Sequence, residues 1–276
     1  MQLLGKIFLI LDARAQTPVS YGWFHIACWI ISILIGLWLC KKFKSPDEKT
    51  VRKILFAMGV ICVVLEIYKQ TVYSFSYSGE KFTFDYQWYA FPFQFCSMPM
   101  YVQLLAGMIR KGRLHDALCS FLATYSIFAG TCVMIYPNDV FTDLIGVNIQ
   151  TMVCHGSMLT IGIFLIGSGY VKAKLKTILG AVAIFSSAVG IAVLMNELTV
   201  ASGILNGETF NMFFVSRHFE PSLPVYSIVQ AHVPYPWCLI IYILGFSIAA
   251  FVILLIEIAI QRALFKNLPK KQKTTV

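Results

Sequence analysis

The sequence predicts an all-α fold, a polytopic membrane bundle of seven transmembrane helices forming one domain over residues 1–276. Three observations carry this. The chain is 58% hydrophobic and only 13% charged, whereas a soluble domain carries about 25% charged residues. Its mean hydropathy is +0.74. Its apolar residues fall into runs of about 20, the length that crosses the hydrocarbon core at ~1.5 Å per residue. Only helices satisfy every backbone group within such runs, so each run is expected to be helical.

The runs cover residues 21–40, 54–76, 89–109, 114–135, 144–170, 175–196 and 237–260. Ahead of the first, MQLLGKIFLILDARAQ carries a cleavage-like Ala13-Arg14-Ala15. Lys6 interrupts its apolar part and leaves only Ile7 to Leu11, short of a signal-peptide core of about 7–15 residues. An interfacial segment leading into the first span is expected instead. The second span contains Glu66 and Lys69. The third contains FPFQFCSMPMY, in which Pro92 and Pro99 bracket Cys96. Pro99 has no N–H, which predicts a bend in the third span beside Cys96, with the carbonyl of Phe95 freed. Small residues at Ala183, Ser186, Ser187 and Gly190 of the sixth span predict close helix packing.

The connections are short, with two exceptions. The second and third spans are joined by SYSGEKFTFDYQWY, crowded with rings that collect at headgroup level. The stretch from Asn196 to Pro236 is too apolar for a free loop, and a lid or re-entrant piece is expected there. Lys and Arg set the orientation. Lys41, Lys42, Lys44, Lys49, Arg52, Lys53, Arg110, Lys111, Arg113, Lys172, Lys174, Lys176, Arg262, Lys266, Lys270, Lys271 and Lys273 fall on one side, 17 of the 22 basic residues. The positive side is cytoplasmic, which puts the N-terminus outside and the C-terminus inside. The net charge of +9 then reflects topology and attraction to anionic lipid, and no nucleic-acid partner is implied.

Polar residues inside a bilayer are costly and mark functional candidates. His25, Glu66, Lys69, Cys96 and His155 are the reactive ones, with the amides Gln94, Gln103, Asn148, Gln150 and Asn196. Glu66 and Lys69 are three apart and share a helix face; an ion pair that locates the helix and a role in the site are both open. Asn148 and His155, two turns apart, share a face. Gln94 is two residues from Cys96 and in a regular helix faces elsewhere. Eight cysteines without a C-x-x-C pair argue against a disulfide framework or zinc ribbon. A buried cysteine is commonly a small hydrophobe and a buried histidine a packing residue. Depth favours more for one pair. Cys96 lies ~10 Å and His155 ~16 Å below the outer edge, and an imidazole beside a thiol generates the nucleophilic thiolate. Phospholipid esters lie near that level.

At these residues the chain resembles the YwaF family of bacterial integral membrane proteins, whose eukaryotic relative is transmembrane protein 164. The resemblance covers nearly the whole chain. It rests on Pro92-Phe93-Gln94-Phe95-Cys96 in the third span and His155-Gly156 in the fifth. Two positions depart from the family pattern, with Asn211-Met212 for Asn-Tyr and Pro137-Asn138 for Pro-Asp. The resemblance implies a phospholipid acyltransferase working through an acyl-cysteine, with Cys96 as nucleophile and His155 as its partner. Asn148, Asn196, Gln103, Gln94 and Glu66 are the candidates for substrate or oxyanion contacts. No cofactor or metal is expected. The expected partners are membrane lipids, a phospholipid acyl donor and a lysolipid acceptor, at a multi-pass location in the cell membrane. A lipid acyl hydrolase is the variant in which water takes the acyl group. A transporter or channel lined by the same polar residues is the alternative, though no inverted repeat is visible. A haem or metal site on His25 and His155 has no carboxylate cluster to support it.

Overall fold

A computed structural model describes residues 2–79, 81–137, 140–221 and 223–265, without the side chains of Gln2, Pro224 and 261–265. The basic C-terminal residues Arg262, Lys266, Lys270, Lys271 and Lys273 therefore lie outside the described side chains, as does Asn138. The chain is mainly helical, in the order α1 (Gln2–Leu11), α2 (Trp23–Lys42), α3 (Glu48–Ser74), α4 (Met98–Met108), α5 (Arg113–Ala123), α6 (Tyr125–Ile135), α7 (Ile145–Gly167), α8 (Leu175–Ser202), α9 (Pro224–His232) and α10 (Tyr235–Phe265). Among the described residues, five helical stretches are long and apolar enough to cross a membrane: Trp23–Lys42, Arg113–Ile135, Ile145–Gly167, Leu175–Ser202 and Tyr235–Ile260. The chain is thus a multi-pass helical membrane protein.

The second and third of the seven expected spans are not among these five. α3 has the length, 27 residues, but carries Glu66, Lys69 and a charged first turn. α4 has only 11 residues, because residues 91–97 ahead of it are not helical. The bend expected at Pro99 is accordingly corrected. Pro99 lies in the first turn of α4, where a missing N–H removes no helical bond. Cys96 sits in the turn before the helix, not inside a kinked one. The 114–135 span is divided at Thr124, whose φ −127° and ψ −76° separate α5 from α6.

α7 is the central helix. It packs against α2, α3, α5 and α6, and its buried residues face all round it. α3 and α4 pair closely because Gly107 lets them touch. A Cβ there would lie 2.6 Å from the backbone nitrogen of Phe56, which cannot move aside. Arg52 of α3 reinforces this contact, donating from Nε to the Gly107 carbonyl at 3.1 Å and from Nη2 to that of Met108 at 2.6 Å. Gly107→Ala is expected to destabilise the protein by about 1–3 kcal/mol through overpacking, despite the ~1 kcal/mol that alanine's helix propensity returns. A thermal melt in detergent at or above the native midpoint would contradict this.

α8 packs on α5 through Gly180, whose absent Cβ would lie 3.1 Å from Ala117 Cα, and on α10. The small-residue contact expected near Gly190 is corrected, since Gly190 faces open space and Ser187 bonds back to the Ala183 carbonyl at 2.8 Å. The aromatic connection after α3 forms a hairpin, β1 (Phe75–Ser78) antiparallel to β2 (Lys81–Phe84). Gly79 turns it with φ +70°, and Phe75–Phe84 and Tyr77–Phe82 form cross-strand ring pairs at 5.0 and 4.7 Å. The segment before α2 is tied to the connection before α7. Ala15 N–H donates to the Asp143 carbonyl at 2.8 Å, and Arg14 pairs with Asp143 at 2.8 Å and Asp12 at 3.1 Å. Those two carboxylates hold the Arg14 guanidinium pKa above its ordinary value. The apolar connection between α8 and α9 folds inward, with Phe210, Met212 and Phe213 buried, as a lid on one end of the bundle.

Candidate functional site

The irregular stretch 91–97 is held by named bonds. Ser97 and Met98 N–H both donate to the Gln94 carbonyl, at 2.9 and 3.2 Å. Gln70 of α3 donates to the Ala90 carbonyl at 2.7 Å, and Tyr101 of α4 to that of Pro92 at 2.7 Å. An unwound backbone at this depth is tolerated only where protein shields it. This turn presents the half-buried Cys96 to a cavity of about 250 Å³ between α3, α4 and α7. His155 lines the same cavity.

His155 is buried, one turn after Thr151 on α7. Its Nδ1 lies 2.8 Å from the Thr151 carbonyl oxygen. A carbonyl only accepts, so Nδ1 carries the proton and Nε2 is left as a bare acceptor. That Nε2 is buried and has no partner among the described residues. A Cβ on the following Gly156 would collide with the Ser32 hydroxyl, so the glycine admits α2 against the back of the site. No hydrogen bond joins Cys96 to His155. The two line one cavity.

Glu66 also lines the cavity, and its carboxylate accepts three bonds. Oε1 accepts from Lys69 Nζ at 2.8 Å and Gln70 Nε2 at 2.9 Å, and Oε2 from Gln150 Nε2 at 3.0 Å. The buried pair thus joins α3 to α7 and, through Gln70, to the Cys96 turn. Two further thiols line the cavity, Cys62 and Cys154. Cys62 lies 3.5 Å from the Ser157 hydroxyl and Cys154 accepts from Gln150 at 3.6 Å.

Of the amides singled out from the sequence, Gln150 bonds Glu66 and Cys154, and the other four are engaged with backbone or Ser157. Asn196 of α8 is fully buried; its Nδ2 donates to the Met212 carbonyl at 3.1 Å and its Oδ1 accepts from Met212 N–H at 2.8 Å. Gln94 clamps the next peptides in the same way, donating to the Asn211 carbonyl at 2.9 Å and accepting from Phe213 N–H at 2.8 Å. Between these clamps Phe213 and Phe214 both hold φ +57°, a strained conformation for a non-glycine residue. Gln94 also lines the cavity, so it does not face away from Cys96 as a regular helix would require. Asn148 brackets Thr142, accepting from its N–H at 2.9 Å and donating to its carbonyl at 2.8 Å. Gln103 is buried with one bond, to Ser157 at 3.4 Å. Neither Asn148, Asn196 nor Gln103 lines the cavity.

Asn196→Leu is expected to free the lid. It strands a buried N–H and C=O at Met212, a cost of about 1–3 kcal/mol for each, and hydrogen exchange over residues 211–216 should accelerate while α7 stays protected. Equal exchange in that segment would show that the clamp is not what holds it.

Two contributors were not singled out beforehand. Ser97, beside Cys96, places its residue on the cavity wall. Thr151 orients His155 through a backbone oxygen, which any residue type supplies and no sequence pattern marks. His25 lies elsewhere, its Nδ1 accepting from Tyr21 N–H at 3.1 Å and its ring stacked on Trp29. The family model described as TMEM164 family matches residues 19–257, a stretch that includes both Cys96 and His155. No curated protein and no solved structure matches the chain.

Proposed function

The chain belongs to the TMEM164 family, and on that premise we propose that it is a phospholipid acyltransferase of the cell membrane that works through an acyl-cysteine on Cys96. One observation carries the reading: a thiol on an unwound turn and a histidine with an unpartnered Nε2 line one cavity inside a membrane bundle. The cavity is too small for a whole phospholipid. An ester group and adjoining glycerol fit it, with the acyl chains left among the helices and lipid.

In the reaction proposed, His155 Nε2 takes the Cys96 proton as the sulfur attacks the ester carbonyl carbon of a phospholipid. A C–S bond forms, the ester C–O bond breaks, and the departing lysolipid oxygen receives the proton from Nε2. The acceptor's hydroxyl then gives its proton to Nε2 and attacks the thioester carbonyl, releasing the Cys96 thiol. If water replaces the acceptor, the same steps hydrolyse the lipid. Donors for the carbonyl oxygen come from the two polar side chains nearest the turn. These are the Ser97 hydroxyl and the second amide N–H of Gln94. Glu66 with Lys69 keeps the turn in register and does not enter the chemistry. Seven passages, with the N-terminus outside and the lysine-rich loops in the cytoplasm, put the Cys96 turn in the outer half of the bilayer, near ester depth.

Lipid profiles of a deletion strain complemented with the native chain or with Cys96→Ser test this reading. The serine variant should leave acyl-chain distributions at the deletion profile. Restoration by Cys96→Ser would remove the thiol from the account.

A further inference from the structure

At the end of the bundle opposite the lid, α5 and α8 bring two separate basic loops together around a cleft of about 520 Å³. Lys111 and Arg113 reach it from the connection before α5 and that helix's first residue, and Lys172, Lys174 and Lys176 from the connection before α8 and that helix's first turn. One acid, Asp116, lines it as well. None of the five cations holds an ion pair among the described residues. The neighbouring Arg52 differs, because its guanidinium is spent on the end of α4. Lys111 Nζ lies over the Tyr170 ring at 5.0 Å, which places that charge at the cleft wall.

The backbone adds to this charge. Both α5 and α8 begin at the cleft, after Gly112 and Lys174, and neither start has a side-chain cap. Their first-turn N–H groups and positive dipole ends add to the charge of the five cations. The start of α8 carries no acid. Loop charge of the kind that orients a membrane protein needs only to lie on one side of the bilayer. Here two loops separated by the whole of α5, α6 and α7 converge on one concavity, and folding does that at the cost of mutual repulsion.

We propose that this cleft is a binding site for a phosphate-bearing anion, and specifically for the headgroup of an anionic phospholipid. The lip supports the lipid source over a soluble phosphate. Leu179 lines the cleft and is exposed, as is Leu175 at the start of α8, which gives an acyl chain an apolar track along α8 directly below the charges. The site is separate from the Cys96 cavity, with no lining residue in common.

Native mass spectrometry of the full chain in detergent, titrated with phosphatidylglycerol or with phosphatidylcholine, tests the proposal. One phosphatidylglycerol should be retained at least about tenfold more strongly than phosphatidylcholine, given the number of basic groups near the phosphate. The triple variant Lys172→Gln/Lys174→Gln/Lys176→Gln should abolish that preference. Lys41→Gln/Lys44→Gln/Lys53→Gln, with the same loss of charge on exposed positions in and around the α2–α3 connection, should keep it. Millimolar inorganic phosphate should not displace the lipid. Equal loss in the two triple variants would mean diffuse charge and overturn the site. Displacement by inorganic phosphate alone would overturn the lipid assignment.

Discussion

Cys96→Ala is expected to abolish both acyl transfer and acyl-enzyme formation, a loss of roughly 10⁴-fold or more, as for nucleophiles that act together with a base. The variant should insert and melt like the native protein, because Cys96 lies in a turn and its half-buried side chain loses only one sulfur. Alanine at Cys62, Cys132 or Cys154 should leave labelling by an acyl donor intact. Cys132 is exposed on α6, away from the cavity. Cys62 and Cys154 do line the cavity, but each faces a polar neighbour, Ser157 for one and Gln150 for the other. What sets Cys96 apart is the unwound turn that presents it, whereas Cys62 and Cys154 are fixed within α3 and α7.

His155→Ala is expected to slow the reaction by about 10²–10⁴-fold, the range general acid–base groups contribute. Nδ1 is fixed to the Thr151 carbonyl at 2.8 Å, which holds the ring in the tautomer whose Nε2 is an unprotonated acceptor. The double variant Cys96→Ala/His155→Ala should be no slower than Cys96→Ala alone, since a base without its nucleophile has nothing to activate. Additive losses in single-turnover assays would show that His155 acts on something other than Cys96.

Much of the scaffold was legible in the residues. α2, α7, α8 and α10 follow apolar runs whose length alone decides their state, because no other backbone is tolerated in lipid. The elements that went unread are those shielded by protein. In residues 91–97 an apolar run with two prolines fits a bent helix as well as an unwound turn. The choice is made by Gln70 and Tyr101, whose side chains take up the Ala90 and Pro92 carbonyls, and by the lid, which holds Gln94 from over a hundred residues away. The break at Thr124 is similar, since Arg113–Ile135 reads as one continuous run.

The polar residues of the site were visible because lipid makes them conspicuous, but their roles were not. Asn196 and Gln94 stand out as amides in apolar runs, yet what they hold is the 211–213 backbone, over a hundred residues from Gln94. Asn148, also considered as an oxyanion donor, is occupied in bracketing Thr142. Glu66 and Lys69 pair as their three-residue spacing suggested, at 2.8 Å. The engagement of Glu66 by Gln70 and Gln150 depends on two helices meeting. The basic cleft was invisible for the same reason, because lysines assigned to separate loops give no sign that they converge.

The acyl-cysteine on Cys96 is tested most directly by a peptide-mass measurement. The purified full chain would be incubated in nanodiscs with a phosphatidylcholine carrying an isotope-labelled acyl chain, quenched in acid and digested. The account predicts one labelled acyl group on the peptide containing Cys96, released by neutral hydroxylamine as a thioester is, absent from Cys96→Ala and strongly reduced in His155→Ala. Acylation at any other residue, or an adduct that persists in Cys96→Ala, would contradict it.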